Sequence, residues 1–324
     1  MKNILILSAG RRVELIERFK RAQKKLNISG RIVAVDISKT APAIYFADKY
    51  YIIPRISEDS YIPYLIDVCN KENINLIVPT IDTELLKLAS NREVIEGQTN
   101  AKLLLSDMRV INICRDKNKT QIFFEENGFG VPKLLSDTDM KTENYSFPLF
   151  LKPKDGSSSI NTFKIENKKE LDFFLEYVKE PMVQEFMEGT EYSVDVFCDF
   201  DCNPITIVPR IRLATRSGEI AKGKIIKDRE VIDDVKRLID VLKPIGQITI
   251  QCMKTVKGIE YIEINPRFGG GAPMSIDAGA DSCEKLYRLL SGEKISYNEN
   301  YRANTTFVRF DNSIMLDENL ELTK

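Results

Sequence analysis

The sequence predicts an α/β domain with an open parallel sheet, followed by two α+β lobes. Two observations carry this. In the first third, short continuous apolar runs alternate with amphipathic stretches, the pattern of strands buried under helices on both faces. From about Arg115 the pattern changes, and after Gly189 the chain reads as mostly extended with one long helix, which indicates segregated strands and helices. A chain of 324 residues is long enough for two or three packed units. The changes of pattern place the boundaries at 1–107, 108–185 and 186–324.

The elements follow in order. Ile4 to Leu7 reads as a buried strand, then a helix from Val13 to Lys25 with Val13, Ile16 and Phe19 on its apolar face. Strands at Ile32 to Val35, Tyr50 to Ile53 and Leu76 to Val78 flank a helix from Tyr61 to Cys69. In such sheets ligands sit beyond the carboxyl ends of the strands. Those ends are Ser8 to Arg12, Asp36 and Pro79-Thr80-Ile81-Asp82. Next comes a helix from Lys117 to Asn127, with Gly128 as its natural C-cap. Strands at Leu149 to Lys152, Thr162 to Ile165 and Val183 to Phe186 surround a helix from Lys168 to Val178. Extended segments at Tyr192 to Phe197, Thr206 to Leu213, Gln247 to Met253 and Ile259 to Ile264 complete the pattern, with a helix from Arg229 to Leu242 between them.

Composition narrows the chemistry. With 47 basic and 48 acidic residues, net charge −1, no global field favours nucleic acid or an anionic membrane as partner. Apolar runs are strand-sized, and the first residues lack a signal-peptide core, so a cytoplasmic protein is expected. The cysteines at 69, 114, 198, 202, 252 and 283 form no CxxC pair and read as reduced core thiols. There is no histidine. Ser-His and Cys-His nucleophiles and His-based zinc sites are therefore excluded, leaving carboxylates, Lys, Arg, amides and bound metal.

The most informative stretch is Gly246 to Gly271. Two strands flank Thr255-Val256-Lys257-Gly258. A three-residue loop with Gly258 left-handed sets Gln251 opposite Glu263. Strand alternation then puts Tyr261, Glu263 and Asn265 on one face, with Ile262 and Ile264 toward the core. Oxygen-bearing side chains gathered in this way suit Mg²⁺ completed by water and phosphate. Arg267 follows, and Gly269-Gly270-Gly271 would let a ligand approach bare backbone. A solvated hairpin face is the competing reading, and it accounts poorly for Gln, Glu, Asn and Arg converging before three glycines.

Three further segments are open on their own. Lys152 ends an apolar strand before Gly156, Ser157, Ser158 and Ser159, which reads as an anion nest or as a surface lysine and a turn. Gln184 to Tyr192 reads as a purine and ribose site or as an ordinary strand, turn and strand. Arg210 and Arg212 share a strand face near Lys222-Gly223-Lys224, fit for a carboxylate or phosphate or simply solvated. A dinucleotide site is weak, because Ser8-Ala9-Gly10-Arg11-Arg12 offers one glycine where G-x-G-x-x-G needs three. There is no Walker A lysine motif.

Together, and in this order, these segments resemble the ATP-grasp superfamily over nearly the whole chain. The resemblance is most specific at Glu263-Ile264-Asn265-Pro266-Arg267, then at Phe147 to Lys152 and Glu185 to Glu191. Pro79 to Asp82 and Asp116 to Thr120 look most like carbamoyl-phosphate-synthase-type and pyrrolysine-pathway-ligase-type members. The resemblance implies a pre-ATP-grasp domain, then two lobes closing on ATP. It implies that Lys117 and Lys152 contact phosphates, with Gly156 to Ser159 as the phosphate loop. Glu185, Phe186 and Met187 would hold adenine, and Glu191 ribose. Gln251, Glu263 and Asn265 would place magnesium or manganese, and Arg267 would stabilise the transferring phosphoryl group. Arg210 and Arg212 are further candidate catalytic arginines. The phosphate loop carries one glycine and three serines where relatives are often glycine-rich. The implied activity joins a small carboxylate to an amine or thiol through an acyl phosphate. A chain this short argues against the whole carbamoyl-phosphate synthase reaction. The partners expected are small molecules and a second copy of the chain. The rivals are phosphoryl transfer without ligation, a non-catalytic nucleotide-binding protein, and a dehydrogenase, which the missing glycines disfavour.

Overall fold

Every residue of Asn3–Ile6 (β1) and Ile32–Asp36 (β2) is buried, as strands covered on both faces must be. The computed structural model describes residues 1–154, 160–216 and 218–323. Between these strands runs Val13–Leu26 (α1). Lys49–Ile52 (β3), Tyr61–Lys71 (α2), Ile74–Val78 (β4), Asp82–Ser90 (α3), Arg92–Gln98 (α4) and Lys102–Leu103 (β5) follow. The strands are parallel in the order β3-β2-β1-β4-β5. Alternation along β1 splits the core: Ile4 and Ile6 pack with Phe19 of α1, while Leu5 and Leu7 pack with Tyr61 and Leu65 of α2. The expected elements are present within a few residues of their bounds, and the structure adds α3, α4 and β5.

The strand ends are fastened by two carboxylates. Asp36 accepts from the backbone N–H of Gly10 at 2.8 Å and of Ser38 at 3.0 Å, so it secures the turn in which Gly10 adopts φ +48°. Glu84 is completely buried. It accepts from Ser8 Oγ at 2.8 Å, from the N–H of Thr80 at 2.9 Å and from the Tyr61 hydroxyl at 3.4 Å. One side chain thus ties the turn after β1 to the loop after β4. Burial raises its pKa to about 7, against the hydrogen bonds that favour the charged form.

The next unit begins with Met108–Arg115 (α5) and Lys117–Glu126 (α6). Asp116 caps α6, accepting from the N–H of Asn118 at 2.9 Å and of Lys119 at 3.2 Å. After Asp137–Thr142 (α7), an antiparallel sheet forms from Leu149–Pro153 (β6), Phe163–Ile165 (β7) and Pro181–Glu185 (β8), in the order β7-β6-β8. Lys168–Tyr177 (α8) covers it, with Leu171 against Leu149, Leu151 and Ile165.

The remainder is a larger antiparallel sheet with the order β13-β12-β9-β10-β11-β14. Its strands are Gly189–Cys198 (β9), Pro204–Arg216 (β10), Glu219–Ile225 (β11), Gly246–Thr255 (β12), Gly258–Asn265 (β13) and Thr305–Val308 (β14). The basic segment at Lys222 to Lys224 is part of β11 and pairs with β10, setting Gly223 opposite Arg212. Arg229–Leu242 (α9) lies on one face, burying Val235, Leu238 and Ile239 against Ile248 and Ile250. Ala272–Asp277 (α10) and Ser282–Leu290 (α11) turn back onto the N-terminal domain. Phe268 and Tyr287 meet the Phe19 ring edge-on at 6.1 and 6.2 Å, and Arg18 pairs with Asp277 at 2.6 Å. Residues of the expected third unit therefore share a core with the first.

A carboxylate whose pKa is raised by folding contributes stability that is present below its unfolded value and lost as pH rises through the folded value. The stability advantage of the parent over Glu84→Gln should therefore shrink between pH 4.5 and 7. Thermal unfolding of both proteins at pH 4.5 and pH 8 checks this; a constant difference would show that Glu84 does not titrate in this range.

Candidate active site

The hairpin β12–β13 reaches the expected pairing by a different route. Thr255 pairs directly with Gly258, leaving a two-residue loop of Val256 and Lys257, and Gly258 adopts φ +112°. The register then shifts between Cys252, opposite Tyr261, and Gln251, opposite Glu263. Ile262 is the extra residue of this bulge. A bulge sends two consecutive side chains toward one face. Tyr261 accordingly points into the core against Phe124 and Phe129, whereas Ile262 lines the open cleft beside Glu263. The expectation for these two residues is thus reversed, while that for Gln251, Glu263 and Asn265 holds.

Those three side chains form the centre of a continuous polar line. Glu263 Oε1 accepts from Gln251 Nε2 at 2.6 Å and from Asn265 Nδ2 at 2.9 Å. Gln251 Oε1 accepts from Arg212 Nη1 at 3.3 Å, and Arg212 Nε stands 3.0 Å from Glu191 Oε1 as an ion pair without hydrogen-bond alignment. On the other side, Asn265 Oδ1 accepts from Arg267 Nη2 at 2.9 Å. Arg267 Nη2 and Nε also donate to Asp82 Oδ2, at 2.5 and 3.1 Å. Asp82 begins α3 at a strand end of the N-terminal sheet, so the line joins two domains. Among the described residues Glu263 Oε2 has no hydrogen-bond partner. Carboxylate and amide oxygens around one negative charge suit a hard cation that keeps water and phosphate as its remaining ligands. No group of three or more His, Cys, Asp or Glu is placed to hold a metal among the described residues.

Glu263 faces a cleft of about 370 Å³ that Lys117, Lys152, Arg212 and Gln251 also line. Lys117 Nζ donates to the Pro153 carbonyl at 3.2 Å. Among the described residues Lys152 has no hydrogen-bond or ion-pair partner. Burial and the charge of Lys117 lower its pKa to about 8, and Glu263 pulls it back up. An unpaired lysine held beside a like charge is poised for an anion. Gly156 to Ser159 lie outside the described residues.

Phe186, Met187 and Glu191 line the same cleft. Glu185 does not: its carboxylate turns outward to Lys257 Nζ at 2.5 Å. The neighbouring Gln184, 3% exposed, presents its side chain to the cleft instead. Strand alternation along β8 could have indicated this. Arg210 also differs from expectation. It is 1% exposed, its Nη2 pairs with Asp195 at 3.0 Å, and its Nε and Nη1 have no hydrogen-bond partner. It is enclosed under the glycine turn, where a Cβ on Gly271 would lie 2.6 Å from the guanidinium. The three glycines therefore admit side chains of the protein itself: Thr249 against Gly269, Arg12 and Glu219 against Gly270, and Arg210 against Gly271.

Comparison with known proteins agrees with this arrangement. Residues 4–101 match the PylC-like N-terminal domain, and residues 114–271 match the ATP-grasp domain. A carbamoyl-phosphate synthase of Methanobrevibacter smithii is 27% identical over 154 residues, covering 46% of this chain and 41% of the relative. A D-alanine–D-alanine ligase of Bacillus anthracis is 26% identical over 179 residues, covering 52% and 57%. The chain thus spans about half the length of these curated relatives. Among solved structures, the biotin carboxylase domain of Hydrogenobacter thermophilus 2-oxoglutarate carboxylase, in complex with MgADP, ADP and bicarbonate, superposes with a TM-score of 0.71 at 20% identity, over 94% of this chain and 73% of that one. N5-carboxyaminoimidazole ribonucleotide synthetase of Thermotoga maritima gives 0.66 at 19%, over 94% and 79%. At such identities the likeness is one of fold. Among the described residues no helix is long and apolar enough to cross a membrane.

Amine reagents attack the neutral lysine, so Lys152 should label half-maximally near pH 8, well below ordinary lysines. Glu263→Gln removes the charge that supports the ammonium and should move that midpoint lower still. Limited acetylation followed by peptide mass mapping across pH measures both. An unmoved midpoint in the variant would separate Lys152 from Glu263.

Proposed function

We propose that this chain, which belongs to the ATP-grasp superfamily through its two matched domains, uses ATP to activate a small carboxylate as an acyl phosphate and joins it to an amine. The observation that carries the reading is that Gln251 and Glu263, with Asn265 hydrogen-bonded to Glu263, stand at the cleft that also receives Lys117 and Lys152. Glu263 would hold magnesium or manganese through its second oxygen, and the amide oxygens of Gln251 and Asn265 would join it through the lone pairs not taken by Arg212 and Arg267. Metal there would neutralise charge on the phosphates and on the transferring group.

The chain's own residues divide the remaining work. Lys117 and Lys152 bind phosphate oxygens. Phe186 and Met187 border the adenine, and Glu191, already turned toward the cleft, serves the ribose. Arg212 keeps Gln251 and Glu191 in place. Arg267, fixed by Asp82, Asn265 and the Phe268 carbonyl, brings its positive charge to the transferring phosphoryl group. A carboxylate oxygen attacks the γ-phosphorus and ADP leaves. The amine then attacks the acyl carbon, releasing phosphate and its own proton. No step requires an imidazole, in keeping with a chain that has none. The substrates are small molecules, a thiol being the alternative nucleophile, and a homodimer is the proposed assembly.

MgATP should raise the unfolding temperature, because a ligand that binds only the folded state stabilises it by RT ln(1 + [L]/Kd). No shift with millimolar MgATP and a clear one with NAD would overturn the nucleotide assignment. In a panel of amino acids and small acids, ADP release should require a carboxylate. An amide should form when amine is added; a phosphorylated product that persists in the presence of amine would favour phosphoryl transfer alone.

Glu263→Gln should abolish turnover while the fold persists, costing several kcal/mol of transition-state stabilisation, roughly the scale of metal-assisted charge neutralisation. Arg267→Lys should lower kcat and kcat/KM together, since lysine keeps the charge and loses the planar fork. Steady-state kinetics separate these outcomes from a change in KM for ATP alone, which would assign Arg267 to ground-state binding.

A further inference from the structure

Arginines from three separate stretches meet where the N-terminal sheet adjoins the large lobe. Arg12 follows the turn after β1, Arg267 follows β13, and Arg309 follows β14. Arg309 is well supplied with partners. Its Nη1 donates to Glu219 Oε2 at 3.2 Å and to the Ile220 carbonyl at 3.3 Å, and its Nη2 stands 3.4 Å from Glu14 Oε2. Arg267 is held by Asp82 and Asn265, as described above.

Arg12 is not. Its side chain is only 19% exposed, yet among the described residues its one charged partner is Glu219 Oε1 at 3.5 Å, and it makes no hydrogen bond there. A stable guanidinium–carboxylate pair closes to about 2.8 Å and is commonly bidentate. Burial and the nearby charges of Arg267 and Arg309 depress the Arg12 pKa, against the pull of Glu219. A cation is thus held in a covered position by a loose pair.

Two features point to an exchangeable partner. Glu219 has a side chain 51% exposed, so it can exchange its contacts with Arg12 and Arg309 for water, whereas the covered Arg12 cannot. Gly270 also borders this pair. A Cβ there would lie 2.8 Å from Arg12 Nη1 and 3.0 Å from Glu219 Oε1, so only bare backbone lets both charged ends lie against this turn, where a carboxylate replacing Glu219 would also fit.

We propose that Arg12, assisted by Arg309, recognises a carboxylate of the substrate, and that Glu219 is the internal carboxylate which this group displaces. The proposal rests on the ligase reading and gives its substrate class: a small acid or amino acid admitted beside Gly270, next to Arg267. Arg12 is then a specificity residue supplied by the N-terminal domain. The displacement makes and breaks no covalent bond.

Thermal shift of the full chain tests this with named probes, with and without MgADP. Glycine, D-alanine, L-alanine, malonate and succinate are compared with glycinamide, acetamide and malonamide. At least one acid should raise the unfolding temperature where its amide does not. Arg12→Ala should weaken that binding about ten-fold or more, the scale of a lost charged hydrogen bond. Glu219→Gln should tighten it several-fold, because the competitor is neutralised. Equal binding of the acid by parent and Arg12→Ala, weaker binding by Glu219→Gln, or no response to any acid would each overturn the proposal. Should Arg12→Ala fail to fold, the direction of the Glu219→Gln change decides. A missing MgADP shift would count against the ligase reading instead, and the nucleotide-free arm would still judge Arg12.

Discussion

The site is organised around one oxygen atom. Glu263 Oε1 accepts from two side-chain amides, and each amide passes its own oxygen to an arginine. Acceptance of two N–H donors fixes the carboxylate in rotation and leaves its second oxygen toward the cleft. Because each arginine is in turn held by a carboxylate, Glu191 at one end and Asp82 at the other, the line is anchored on two domains. Movement of the N-terminal sheet relative to the hairpin would be felt at Glu263 through Asp82, Arg267 and Asn265. The chemistry proposed for the cleft needs such fixed charge, since preorganised groups stabilise developing charge without reorganising during the reaction.

Beneath this line lies a second polar centre that has a supporting part. Asp195, 1% exposed, accepts from Arg210 at 3.0 Å, from Thr249 Oγ1 at 2.9 Å and from Ser275 Oγ at 2.5 Å. A buried ion pair is weak evidence for stability, because desolvation opposes the attraction. Here it binds β9, β10, β12 and α10 at one point, and it does so directly under the glycine turn that follows Arg267. Any side chain at Gly271 would collide with the Arg210 guanidinium. The turn therefore takes its path from the arginine packed against it, and Arg267 at its start is positioned accordingly.

Much of this was legible in the sequence, for reasons that can be named. The parallel sheet followed from continuous apolar strands, and its strand ends at Ser8 to Arg12 and Pro79 to Asp82 do reach the site. Gln251 and Glu263 were paired correctly, although the assumed three-residue loop is a tight two-residue one. The bulge at Ile262 restores the register, and no periodicity argument reveals a bulge in advance. The same bulge explains why Tyr261 is in the core and Ile262 in the cleft. Arg210 and Arg212 do share a strand face, as alternation requires. Only the tertiary cover differs: the glycine turn closes over Arg210, while Arg212 reaches Gln251. Arg12 sat within a recognised strand end, but its loose pair with Glu219 depends on two segments more than two hundred residues apart in sequence.

The balance of charge in the cleft gives the strongest reason to expect an anionic ligand. Arg212 is matched by Glu191 and Arg267 by Asp82, each within ion-pair distance. That leaves Lys117 and Lys152 facing the single carboxylate of Glu263. Lys117 rests on a carbonyl; Lys152 has no such partner among the described residues, and burial beside the charge of Lys117 destabilises its ammonium. A surface lysine would extend into water to escape this. Lys152 ends the strand β6, whose pairing with β8 carries it to the cleft wall. Folding thus holds a cation without an ion-pair partner among the described residues, and a polyphosphate accompanied by a divalent cation satisfies the lysines and Glu263 together.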